Sequence, residues 1–152
     1  MKRNPDWSQG LTILAQSLCT TLLQLRIHRN VCESWGYAKL TQILTEHQTS
    51  VATALDSVIR RLLALEQAVD LQNLGRINVG QTVEELFVSE REMAVQTRTL
   101  IQRLSADLKS EVVTSRMLDE VLLSEDMRAA FFSQQLELVR QMGSQNYLAF
   151  RC

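Results

Sequence analysis

The sequence predicts an all-α fold: a four-helix bundle of long helices, with a long crossover between the second and third and a short helix at the C-terminus. Three observations carry this. Helix breakers are scarce, with one proline and five glycines in 152 residues, and the glycines sit mainly at apparent element ends. Apolar residues recur at three- and four-residue spacing over stretches far longer than a strand. The connections run short, long, short, and the middle one can span the length of a bundle.

The first helix is predicted over about residues 5–35. Asn4-Pro5-Asp6 supplies a cap, a proline for the first turn and an acid at the positive dipole end. Leu11, Leu14, Leu18, Leu22 and Leu25 form one stripe, and Ile13, Leu23 and Ile27 widen it beyond one face. A helix apolar on two sides buries one in its own bundle and the other against a partner, which predicts an oligomer. Trp35-Gly36 ends it, glycine taking the left-handed cap.

The second helix is expected over about 38–66, with Leu40, Leu44, Val51, Leu55, Val58 and Leu62 on its stripe. The segment from Gln67 to Gly80 has no helical period yet carries Val69, Leu71, Leu74, Ile77 and Val79, so it is expected to lie against protein. Thr82, with Glu85 three residues on, reads as a capping box opening a third helix over about 82–107. Its stripe is Val83, Leu86, Ala94, Ile101 and Leu104. A turn near Lys109-Ser110 leads to a fourth helix over about 110–142, with Val113, Leu118, Val121, Leu122, Phe132, Leu136 and Val139 inward. A short helix over about 144–150 completes a single domain spanning 1–152.

Composition narrows the function. Hydrophobic residues are 45%, charged residues 22% and the formal net charge is −1. No global field recruits nucleic acid or an acidic membrane. No apolar run reaches the ~20 residues needed to span a bilayer. Met1-Lys2-Arg3 is followed by polar residues, so export is not indicated. Cys19, Cys32 and Cys152 form no metal-ligand spacing, and their odd number predicts a reducing, cytoplasmic setting. Cys19 and Cys32 are expected to be buried thiols, and Cys152 exposed.

Several stretches together resemble bacterioferritin, of the ferritin-like superfamily. They are His28, Trp35-Gly36-Tyr37-Ala38-Lys39-Leu40 and Leu71-Gln72-Asn73-Leu74-Gly75, followed by Arg76-Ile77-Asn78-Val79-Gly80. Val83-Glu84-Glu85 and Met142-Gly143-Ser144-Gln145-Asn146-Tyr147-Leu148 complete the set. The resemblance covers nearly the whole chain and is carried by turns and crossover. It implies a ferritin-like bundle and a 24-subunit cage built from two-fold dimers. Such a cage stores ferric mineral, and active subunits oxidise iron(II) at a di-iron centre inside the bundle. That centre takes a glutamate from the first and third helices and an ExxH pair from the second and fourth, a spacing that puts both ligands on one helix face.

Carried over residue by residue, these ligand positions hold Leu18, Val51, Ala54, Ala94, Glu125 and Arg128. Only Glu125 keeps a metal-binding group. The haem-ligand position one residue past the second-helix glutamate is Ala52, without the thioether through which symmetry-related methionines hold a haem. The expectations are therefore a subunit that is not an enzyme, with no metal ligand beyond a weak candidate at Glu125. Iron would be present as the cage's mineral, and haem only through a partner's methionine. The chain would join a homo- or hetero-oligomer of bacterioferritin subunits, with an active subunit supplying oxidation. The alternative is a ferritin-fold scaffolding or interaction protein that has left iron storage.

Glu125 falls on an apolar stripe, where a lone carboxylate is costly unless paired. Arg128, three residues on, keeps its charge and can pair with it, so the two read as an internal salt bridge. His28 and His47 read as ordinary polar or interface positions. Glu46 and Ser50 are expected to face the cage interior. Glu84, Glu85, Glu90 and Glu92 read as a solvated helix face. No nucleophile triad, glycine-rich phosphate loop or aromatic–basic surface is present.

Overall fold

The computed structural model describes residues 7–108 and 110–152. The expected cap at Asn4-Pro5-Asp6 and the turn residue Lys109 lie outside them. Five helices follow in order: α1 (Ser8–Trp35), α2 (Ala38–Ala64), α3 (Val83–Ala106), α4 (Val112–Met142) and α5 (Ser144–Arg151). α1 pairs along α2 and α3 along α4. Contacts between α1 and α3, and between α2 and α4, close the bundle, and α5 folds back on α4. No helix among the described residues is long and apolar enough to cross a membrane.

The helix ends follow local chemistry. Gly36, at φ 85°, closes α1 with its own amide on Glu33, while the Tyr37 amide reaches Cys32. α2 stops at Ala64, two residues before the predicted end, because Glu66 adopts a left-handed φ of 57°. The Gln67 amide then reaches back to Leu62. α3 opens on Thr82, whose Oγ1 accepts the Glu85 amide at 3.1 Å, while the Glu85 carboxylate caps the amide of Gln81 instead of Thr82. α4 begins at Val112, two residues later than expected, and Val113 is exposed rather than inward.

The core takes the predicted stripes of α2 and α3 in full, with Leu11, Leu14, Leu18 and Leu25 of α1 and Leu118, Val121, Phe132 and Val139 of α4. Burying side chains of this size drives the assembly at about 1.5–3 kcal/mol each. Ile13 and Ile27 are exposed, on the second apolar side of α1. Cys32 is buried, Cys19 half-buried, and Cys152 is half-buried against the core instead of free in solvent.

Polar contacts, more than apolar ones, hold the crossover. Val69 and Leu71 pack on the core, while Leu74 and Val79 are exposed on this chain. Four polar residues of α1 at four-residue spacing form a ladder along it. Gln16 Nε2 donates to the Asp70 carbonyl at 3.1 Å, and Thr20 Oγ1 accepts the Gly75 amide at 2.9 Å. Gln24 Oε1 accepts the Asn78 amide and His28 Nε2 the Gly80 amide, both at 3.0 Å. The spacing places all four on one face, so α1 buries an apolar stripe in the bundle and fastens the crossover with a polar one.

Candidate functional site

The upper rungs of the ladder continue into the bundle centre. A backbone amide only donates, so His28 Nε2 must present its lone pair to Gly80 and the ring proton resides on Nδ1. Nδ1 then donates to Glu90 Oε1 at 2.6 Å. Gln24 Nε2 donates to the same oxygen at 3.2 Å. On the other side of Glu90, Arg128 Nη1 donates to Oε2 at 3.3 Å, and Arg128 Nη2 donates to Glu125 Oε2 at 2.5 Å. His28, Glu90 and Glu125 are fully buried and Arg128 is 3% exposed. Three helices, α1, α3 and α4, thus converge on one chain of polar groups.

This chain is unevenly satisfied. Both oxygens of Glu90 have donors, whereas Glu125 Oε1 and Arg128 Nε have no hydrogen-bond partner among the described residues. Two carboxylates share one guanidinium in the bundle interior. Burial raises the Glu125 carboxyl above its usual range; Arg128 opposes this and the nearby Glu90 charge adds to it. His47 of α2 stacks against Phe131 and Phe132 of α4 at ring separations of 4.9 and 5.1 Å. Burial, then the Arg128 charge, lowers it to about 4, so it is neutral at physiological pH.

Glu90 corrects the sequence reading. Glu84, Glu85 and Glu92 are exposed, but Glu90 is buried at the hub of the network rather than on a solvated face. The available signal was its position: it lies four residues after Leu86 and four before Ala94, on the buried stripe of α3. Gln24 was likewise missed as a functional position. Glu46 is exposed, and Ser50 shares a 2.9 Å hydroxyl contact with Ser124 on the surface between α2 and α4.

Leu18, Val51, Ala54 and Ala94 are buried among core side chains and offer no donor atom. Among the described residues, no group of three or more His, Cys, Asp and Glu side chains is arranged to hold a metal ion. These residues do not fit a di-iron group of the form the resemblance implies, and half-buried Ala52 offers no haem ligand.

The ferritin-like domain family matches residues 9–142. The chain belongs to that family. Its curated relatives include the bacterioferritin of Mycobacterium leprae, 24% identical with 98% of this chain and 95% of that one aligned. The bacterial ferritin of Pseudomonas aeruginosa is 26% identical over 97% of each chain. Among solved structures, Mycobacterium tuberculosis bacterioferritin BfrA superposes with a TM-score of 0.93 at 20% identity, covering 98% of this chain and 95% of that one. The ferritin-like bundle with its crossover is thus the fold of this chain.

These relatives overturn one expectation. The expectation of a non-enzyme does not stand, because the chain aligns over 98% of its length with the Mycobacterium leprae protein named bacterioferritin. A second buried carboxylate, Glu90, and the His28 imidazole share the interior with Glu125.

Proposed function

We propose that this chain is a subunit of an iron-storing shell of the bacterioferritin type, and that it assembles with a second bacterioferritin-like subunit. The observation that carries the reading is the alignment with bacterioferritins over nearly the full length of both chains. The exposed apolar side chains Ile13 and Ile27 of α1 and Leu74 and Val79 of the crossover support it, because they form part of a surface that a neighbouring subunit would cover. Iron is the stored mineral in this reading, and the compartment is the cytoplasm. Haem would bind only where a partner's methionine lies opposite Ala52. The Glu90–Arg128–Glu125 network serves as an internal tie between α3 and α4.

Native mass spectrometry with iron analysis, on the assembly purified from its own cell, tests this. A mass near that of a 24-subunit shell, containing a second bacterioferritin-like chain and iron, is the expected outcome. A small, iron-free assembly would assign the fold to scaffolding instead.

A further inference from the structure

His28 is the rung at which the crossover meets the buried charges, and both its ring nitrogens are committed. Nε2 accepts the Gly80 amide at 3.0 Å, and Nδ1 faces Glu90 at 2.6 Å. A neutral imidazole satisfies both contacts. An imidazolium carries an N–H at each nitrogen and can no longer accept from Gly80. The amide it abandons belongs to a buried residue. Gly80 packs closely against the first turn of α3, where even a Cβ would stand 2.3 Å from the Leu86 nitrogen.

We propose that His28 is an acid-sensitive latch on the crossover. The neutral ring fastens Gly80 against α1, and a second proton, placed on Nε2, unfastens it. The charged and titratable groups facing this imidazole are Glu90 of α3, with Arg128 and Glu125 of α4 behind it and His47 of α2 beyond Arg128. The Glu90 carboxylate lies against Nδ1, and the Arg128 guanidinium stands on the far side of that carboxylate. The lower rungs, Gln16, Thr20 and Gln24, do not titrate in this range. Acid therefore opens the end next to α3 and leaves the Gly75 contact to Thr20 closed. The inference concerns contacts within one chain and does not rest on the iron-storage reading.

Hydrogen exchange at single-amide resolution on the intact assembly, from neutral to mildly acidic pH, reads the latch once intrinsic exchange rates are divided out. Gly80 protection should fall by up to about tenfold per pH unit below the titration of the imidazole, while Gly75 protection holds. His28→Gln is the decisive variant, because a glutamine can accept from Gly80 and donate to Glu90 without titrating. It should keep Gly80 protected and remove the pH dependence, whereas His28→Leu should expose Gly80 at every pH. Far-UV circular dichroism verifies that helix content is kept. A pH-independent Gly80 in the wild-type protein overturns the latch. So does an equal acid response in His28→Gln, which would move the titration to the carboxylates, or a parallel loosening of Gly75.

Discussion

The two ends of the buried network differ in how completely their polar groups are satisfied. At the crossover end, Gln24, His28 and Glu90 find partners for the crossover amides and for both carboxylate oxygens. At the α4 end, Glu125 Oε1 and Arg128 Nε are buried with no hydrogen-bond partner among the described residues. The first arrangement is a fastening, in which each donor meets an acceptor fixed by two backbones. The second is a charge compensation, in which one guanidinium answers two carboxylates and directional capacity is left over. The lesson is that charge balance and hydrogen-bond satisfaction are separate requirements, and this interior meets them in different places.

Removing the guanidinium should produce the largest effect. Arg128→Ala strands Glu90 and Glu125 together and is expected to cost about 3–5 kcal/mol in denaturant unfolding. The Glu125→Leu/Arg128→Leu pair should cost less, because Glu90 keeps His28 and Gln24. Equal or reversed costs would show that the α4 end is not held by charge compensation.

At the crossover end, Gly80→Ala forces a Cβ into the first turn of α3 and should cost on the order of 3 kcal/mol by the same measurement. A neutral outcome would mean that the close approach there can relax.

The pH dependence sharpens the α4 side. His47 is lowered to about 4 from its ordinary 6.5, so the unfolded chain takes up the proton first as pH falls. Its contribution is complete above the ordinary value and is lost between about 6.5 and about 4, at most on the order of 3 kcal/mol. His47→Phe keeps an aromatic ring against Phe131 and Phe132 and should flatten that part of the stability–pH curve. An unchanged slope would assign it to other groups.

The smallest effect belongs to a single outer rung. Thr20→Val removes the acceptor of the Gly75 amide and should cost about 1 kcal/mol, since Gly75 is exposed and water can take the amide. A loss as large as that for Gly80→Ala would mean the ladder acts as one cooperative unit.

Much of the fold was legible because its signals are local. Gly36 needs a left-handed cap, Thr82 and Glu85 stand at capping distance, and the α2 and α3 stripes repeat at the helical period. Glu125 and Arg128 could be paired on paper because three residues on one helix bring side chains together. Glu90 could not be joined to them in the same way. It sits in an acidic stretch with Glu84, Glu85 and Glu92, and only packing against α1 and α4 separates it from that solvated group. The crossover was expected to lie against protein and does, but through the α1 polar stripe as well as Val69 and Leu71, while Leu74 and Val79 are exposed.

The sequence alone therefore determined the helices, their order and the family resemblance, since capping and periodicity depend on residues within one or two turns. Only the tertiary structure decided which polar residues meet at the centre, which tautomer His28 adopts and where charge goes unanswered. Those depend on groups separated by tens of residues in the chain, brought together when burial removes the water that would otherwise have satisfied each of them alone.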